Sequence, residues 1–365
     1  MAMSSIADIR PSLIIARTFG LAPYSITKSS VSVSKEAIIY SVPWFLLYLY
    51  ALYDRIDVYS QGNKDVKFLV LAVTRTILTV GTLTVDMILC IARNSRLQSS
   101  LHFFRKYDLT VKINIRKNLR IHTWTIFCFL IIYFLAIGWF TYFYEPSKSL
   151  MAAFIYIYLY LPLSTATVKF LSSVTSIFLR FRHLNSLLVP GLSSILLEID
   201  NKAKRFHLRD ICWLHSCLCA AVEDVNSLYS AQLLLWFANF TFNTITLIHD
   251  FTDFEPKKID DAAKFIRDGG LVILFSLLVS FMAAICHFTA AEANKVGATV
   301  FSPSSRYFRC WSNQGDKFAV GQYFSLHEVH FSAASGLFRI NLSLLLKIAG
   351  AMTTYLVILK SPARS

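Results

Sequence analysis

Charge is what this sequence has least of. Only 16% of its 365 residues are Asp, Glu, Lys or Arg, against about 25% in soluble domains. That shortfall excludes a water-facing surface over most of the chain. Its complement is a hydrophobic fraction of 55% and a mean hydropathy of +0.51, which point to a polytopic membrane protein. Acid is scarcer than base, and the net charge is +14. On a soluble chain this excess would raise nucleic acid as a partner. Here the loop lysines and arginines set the orientation of membrane spans, and no nucleic-acid partner is expected.

Other absences narrow the class further. No GxSxG, P-loop or HExxH occurs, so neither an enzyme nor a cofactor is expected. Residues 1–36 carry Arg10, Arg17, Lys28 and Lys35, and no long apolar run there ends in a small-residue cleavage site. The first apolar run is therefore expected to be a retained anchor. Internal repeats and low-complexity linkers are missing, which argues against a transporter built from inverted repeats. One membrane domain over 1–365 is the expectation, with no separate soluble domain.

What is present is a series of apolar runs near the ~20 residues a transmembrane helix needs. Seven candidates fall at 37–53, 68–92, 122–144, 151–180, 228–249, 269–293 and 336–359. The strongest begins at His122 and reads HTWTIFCFLIIYFLAIGWFTYFY; the first is short, and the last contains Arg339 and Lys347. The 30 Phe and 17 Tyr suit helix interfaces and headgroup belts. Seven spans put the termini on opposite sides. The N-terminus with the second, fourth and sixth loops carries 22 Lys and Arg, and the other side carries 10. Positive loops stay in the cytoplasm, so the N-terminus is expected inside and the C-terminus outside. The fifth loop adds Asp250, Asp253, Glu255, Asp260, Asp261 and Asp268 on the outer side.

The cysteines agree with that orientation. Cys90, Cys128, Cys212, Cys217, Cys219, Cys286 and Cys310 all fall in spans or in expected cytoplasmic loops, where thiols stay reduced. A rhodopsin-like receptor has an outer disulfide and an Asn-Pro pair in its last helix. None of the nine prolines here follows Asn, and Asp54-Arg55 falls after the first span on the expected outer side.

The final apolar stretch reads GLFRINLSLLLKIAGAMTTYLVIL. It resembles the C-terminal signature of the insect gustatory receptors, a Thr-Tyr followed by hydrophobic residues and then Gln-Phe. Gly336, Phe338, Leu344, Leu345, Gly350, Ala351, Thr353, Thr354 and Tyr355 fall at the matching places. RTFGLAPYS at 17–25, RFRHLNSLL at 180–188 and LHSCLCAAVEDVNSLYSAQLLL at 214–235 resemble the family's N-terminal stretch, fourth-helix extension and approach to the fifth helix.

The resemblance implies an all-α, seven-helix, multi-pass plasma-membrane chemoreceptor on the dendrites of gustatory neurons. It implies a homo- or heterotetrameric, ligand-gated, nonselective cation channel in the lipid membrane, opened by a small-molecule tastant. The seventh helix would line the pore, with Thr354, Tyr355, Ile358, Leu359 and Ser361 at its wall and gate. His215, Gly336, Phe338, Leu344 and Leu345 would belong to a cytoplasmic anchor built from 180–228 and 294–345. The ligand would sit among the outer halves of the second to sixth helices. Arg75, Tyr133, Trp139, Tyr142, Tyr156, Tyr160, Trp236, Asn239 and Asn243 lie there, aromatic bodies with a few polar handles. Packing or an interfacial belt is the competing role for each aromatic.

Several positions depart from the family pattern. Lys360, Ser361 and Pro362 replace the hydrophobic-Gln-Phe ending, Lys347 stands where a small residue is usual, and Asn341 where Asp is common. Ile348 to Leu359 would rise only about 18 Å, short of a ~30 Å hydrocarbon core. A ring of lysines from Lys360 would repel cations. The expectations are therefore an alternative or mis-joined terminal exon, or a nonconducting or co-receptor subunit. A metabotropic G-protein-coupled receptor is the alternative class. Leu356 stands where the sugar-receptor branch has Glu, which leaves a bitter-compound receptor ahead of a fructose receptor.

The remaining polar residues have ordinary readings. Arg75 and Asp86 are eleven residues apart, about 16 Å, too far to pair. Arg75 suits a polar ligand, Asp86 is expected to pair with Arg93, and Lys169 has no evident partner. CWLHSCLC gathers Cys212, His215, Cys217 and Cys219, but one helix spreads them over several faces, and no metal is expected. The sequons at Asn239 and Asn341 lie inside expected helices.

Overall fold

A computed structural model describes residues 8–27, 31–61, 66–111, 116–144, 154, 156–188, 207–252, 259–303, 305 and 314–360. Among these stand ten α-helices: α1 (Arg10–Thr18), α2 (Lys35–Gln61), α3 (Val66–Ala92), α4 (Asn94–Val111), α5 (Arg116–Tyr144), α6 (Leu161–Leu188), α7 (Leu208–Thr252), α8 (Ile259–Phe301), α9 (Gln314–Leu326) and α10 (Leu342–Lys360). Two small antiparallel hairpins complete them. In one, β1 (Tyr24–Ile26) pairs with β2 (Val31–Val33); in the other, β3 (Ser332–Ala333) pairs with β4 (Phe338–Arg339). The chain is all-α, and each expected apolar run overlaps a helix.

Among the described residues, five helices are long and apolar enough to cross a membrane: the segments Lys35–Asp57, Leu69–Ala92, Leu119–Phe143, Leu208–Phe251 and Phe265–Phe301. The fourth expected run fails that test for a physical reason. Its helix, α6, buries 22 of its 28 residues against α1, α3, α5, α7 and α8. A helix surrounded by protein does not meet lipid, so it can carry Ser, Thr, Lys169 and Arg180 where a lipid-facing helix would need aliphatics. Pro162 has no N–H to give to the preceding turn, and the chain enters α6 through a π turn at Tyr156–Tyr160.

Helices α7, α8 and α10 differ in extent from the runs that predicted them. Helix α7 has 45 residues and α8 has 43, which is about 67 Å and 64 Å at 1.5 Å per residue. Both exceed the ~30 Å needed to span, so part of each projects beyond any bilayer. The last helix begins at Leu342, not 336. Gly336 adopts φ +104 in a short 3-10 turn, Arg339 lies on β4, and Asn341 caps α10 by accepting from the Leu344 N–H at 3.1 Å. The capped helix has 19 residues, about 28 Å. That is close to the hydrocarbon thickness, where the segment from Ile348 alone is not.

The projecting end is held by a buried arginine. Arg180 forks onto Asp108 (Nε–Oδ1 3.0 Å, Nη2–Oδ2 2.7 Å) and also donates to Asp8 Oδ2 at 2.8 Å, with its guanidinium over the Phe104 ring. These contacts join α6 to α4 and to the turn before α1. Helix α4 follows α3 after a single residue and presents Leu97, Ser100, Leu101, Phe104 and Tyr107 inward, the spacing of one helix face. The N-terminal segment is tied in by Tyr24, which donates to the Cys90 carbonyl at 2.9 Å, and by Tyr48, which donates to the Phe19 carbonyl at 2.7 Å.

Below Arg180, Tyr107 Oη lies 3.1 Å from His183 Nδ1 and donates to the Arg180 carbonyl at 3.0 Å. Burial and the nearby guanidinium hold the His183 imidazole down to about 4. A depressed histidine favours the folded state fully above its unfolded value of about 6.5, and that contribution is lost as pH falls toward 4. The folded protein should lose about 3 kcal/mol over this window. Thermal melts of the detergent-solubilised chain at pH 7.5 and 4.5 should show a larger drop for wild type than for His183→Gln; equal drops would remove His183 from the account.

Candidate functional site

Two helix faces meet in the middle of the bundle, and both are polar. Helix α3 contributes Thr79, Thr82, Asp86 and Cys90, and α7 contributes Gln232, Trp236, Asn239 and Asn243, each set at spacings of three or four. All eight side chains are buried. The result is a polar seam about 16 Å long from Gln232 to Asn243.

At one end Lys169 of α6 donates to Asp86 Oδ2 and approaches Cys90 Sγ, both at 3.0 Å. Gln232 Nε2 donates to Asp86 Oδ1, and the Tyr229 ring lies 5.9 Å from the ammonium. Lysine and aspartate are each 1% exposed. This pair was missed in the sequence, where Asp86 was expected to meet Arg93. Arg93 instead donates to the Ser227 carbonyl. Two lone opposite charges in different apolar runs were the available signal.

The other end holds three of the expected ligand residues. Tyr160 donates to Asn243 Oδ1 at 3.0 Å, and Asn243 donates to the Asn239 carbonyl at 2.9 Å. Asn239 then donates to Thr82 at 3.3 Å and accepts from Thr79 at 3.2 Å. The Tyr160 ring packs on Phe275 at 5.3 Å. Trp236 sits between these ends against Phe170 and Tyr229, and its Nε1 has no hydrogen-bond partner among the described residues. Tyr133, half-buried on α5, likewise has an unpartnered hydroxyl, which lies against Gly270, where a Cβ would come within 2.7 Å of it. Arg75 is half-buried on α3, one turn from Thr79.

Not every expected ligand residue joins them. Trp139 is 65% exposed and Tyr142 is 37% exposed; both lie on the outer face of α5, with the aromatic-belt alternative the better description of that position. The Tyr156 side chain lies outside the described residues.

Helix α10 is covered on one face only. Leu344, Leu345, Ile348, Met352 and Tyr355 are half-buried against α7 and α8, and no residue of α10 with a described side chain is fully buried. Between α7 and α10 runs an apolar groove of about 440 Å³, lined among others by Phe237, Thr241, Ile348 and Tyr355. Tyr355 therefore faces α7, whereas the Thr354 and Ile358 side chains are exposed. The Leu359 side chain and Ser361 lie outside the described residues.

In the projecting part, His215 packs edge-on against Phe181, Tyr323 and Phe324, with Nδ1 3.1 Å from Tyr323 Oη. Leu344, Leu345 and Phe338 are half-buried against the core elsewhere, Phe338 and Leu344 beside Leu234, about 28 Å along α7 from His215, and Gly336 makes the turn of the β3–β4 hairpin. Cys219 lies beside His215 at 3.4 Å, while Cys212 offers only its carbonyl, to Tyr323. Among the described residues no group of three or more His, Cys, Asp or Glu is arranged to hold a metal.

Comparison with known proteins follows the same outline. A family model described as "7tm Chemosensory receptor" matches residues 9–359. The solved structure of the insect olfactory receptor OR5 from Machilis hrabei superimposes with a TM-score of 0.65 at 14% identity, covering 97% of both chains. The same receptor in complex with eugenol gives 0.61 at 13% identity, over 96% of this chain and 97% of that one. At such identities the likeness is one of fold. No curated protein sequence matches the chain.

Lys169→Met should leave Asp86 buried without its cation and cost about 3–5 kcal/mol. Fluorescence-detected size-exclusion after heating should show a melting temperature several degrees below wild type. The double variant Lys169→Met with Asp86→Leu should recover most of that loss, because no lone charge remains; a double variant as unstable as the single would refute the pairing.

Proposed function

Because the chain belongs to the 7tm chemosensory receptor family, we propose that it is a gustatory receptor subunit of a ligand-gated, nonselective cation channel opened by a small-molecule tastant. The observation that carries this reading is α10. It is capped at Asn341, about 28 Å long, and covered by its own chain on one face only. A helix of that length with an uncovered face that includes Thr354 suits the wall of a pore built by several copies. Four copies, alike or mixed with other gustatory receptors, are the proposed assembly, in the plasma membrane of gustatory neuron dendrites. The N-terminus would lie in the cytoplasm, on the side of the projecting ends of α7 and α8.

The polar seam supports a ligand site. Tyr160, Asn239 and Asn243 supply hydroxyl and amide groups, and Trp236 and Tyr133 supply donors that nothing in the described chain satisfies. Arg75 borders the same region. An organic ligand that satisfied these donors better in the open state than in the closed one would shift the population toward opening. Bitter compounds are the preferred class, and the OR5 structure with eugenol shows that a receptor of this fold takes a small aromatic molecule.

Excised membrane patches test direct gating. Quinine, caffeine, denatonium and fructose would be applied to patches bathed in solution without GTP. An evoked cation current should persist after excision. A response present in whole cells and lost on excision would favour the metabotropic class. Tyr160→Phe and Trp236→Phe, which remove one polar atom each, should weaken the response to an active compound by about 5- to 30-fold in half-maximal concentration, taking about 1–2 kcal/mol per lost hydrogen bond. Unchanged dose–response curves would move the ligand away from the seam.

A further inference from the structure

Helix α10 carries an isolated cation. Lys347 is exposed, and none of the ion pairs among the described residues includes it. It lies five residues into the helix, about 8 Å from its start. A 19-residue helix that crosses ~30 Å of hydrocarbon has no turn to spare. The ammonium group of Lys347 therefore faces either lipid or water.

The pattern of the uncovered surface distinguishes these. Beyond the face packed on α7 and α8, α10 shows two strips. One carries Leu342, Leu346, Ala349 and Val357, with Thr353 as its one polar member. The other carries Ser343, Lys347, Gly350 and Thr354 at spacings of four, three and four, the repeat of a single helix face, with Ala351 and, at its far end, Ile358 as its apolar members. Polar and charged groups within a membrane gather where water or protein meets them, and aliphatic ones where lipid does. Gly350 adds an independent mark. A Cβ placed on it would meet nothing within 4 Å, so packing inside the chain does not call for a glycine, although glycine weakens a helix interior. Close approach by another copy of α10, or a wide water path, accounts for it.

We infer that Lys347 faces the water path between copies of α10, and that its positive charge there opposes cations. This rests on the pore reading given above and adds to it a residue that sets charge preference. Each copy contributes one ammonium at the same depth, and a ring of like charge at a narrow point repels ions of its own sign. Assemblies made only of this chain should therefore prefer cations less strongly than assemblies with partners that carry an uncharged residue at this register.

Cryo-electron microscopy of the full chain in lipid nanodiscs would place the side chain. Lys347 should point toward the axis shared by the α10 helices. Copies arranged around α10 with Lys347 turned to lipid or to the headgroups would overturn the inference and leave the pore reading intact. An assembly in which α10 meets no other copy would overturn both. In excised patches under a tenfold KCl gradient, with the active compound from the four above, Lys347→Gln should raise the potassium-to-chloride permeability ratio at least several-fold. A reversal potential identical to wild type would show that the charge does not face the ions.

Discussion

A charge buried in the centre of the bundle constrains everything around it. Lys169 lies on α6, the most enclosed helix, and its only carboxylate partner within ion-pair distance among the described residues is Asp86 on α3. Separating two such charges in a dry interior would cost far more than the pair contributes to stability. The pair therefore fixes the relation of α3 to α6, and Gln232 extends it to α7. Once those three helices are set, the alternating amides and hydroxyls above the pair fall into line as a continuous seam.

That seam explains how a membrane protein can be rigid where it is polar and still leave chemistry for a ligand. Most of its groups satisfy one another. Trp236 Nε1 and Gln232 Oε1 do not, nor does the Tyr133 hydroxyl on α5, and an unsatisfied buried polar group costs free energy that a bound partner would recover. The enclosed helix α6 joins this region to the projecting end, where Arg180 holds Asp8 and Asp108. A displacement near Tyr160 would thus act on a helix that also organises the far end of the molecule. Helix α10 contrasts with this. It is packed on one side by α7 and α8, lines a groove rather than a core, and leaves most of its surface uncovered by its own chain.

The sequence disclosed the helices well because each lipid-facing run is long and apolar. It disclosed their ends poorly. The fourth run was expected as a mostly apolar run, yet α6 intersperses Ser, Thr, Lys169 and Arg180 among its apolar residues because protein surrounds it, and hydropathy measures lipid contact rather than burial. The start of the last helix at Leu342 depended on the Gly336 turn and the Asn341 cap, local geometry that a hydropathy pattern does not register. Within the site, Tyr160, Trp236, Asn239 and Asn243 were chosen from depth and chemistry and do gather along one seam. Trp139 and Tyr142 met the same criteria but face outward, because depth along a helix does not fix the direction around it. The Lys169–Asp86 pair escaped notice since pairing between helices depends on their packing, which one sequence does not show.

The account turns on whether the polar strip of α10 meets the ions. The most direct measurement is block of an evoked current by a positively charged methanethiosulfonate reagent, comparing Thr354→Cys with Leu346→Cys in excised patches. The account predicts rapid, irreversible block at position 354, none at 346, and none in wild type, whose described cysteines lie off α10. Block at 346 with none at 354 would contradict it and turn the neighbouring aliphatic strip of the helix toward the pore.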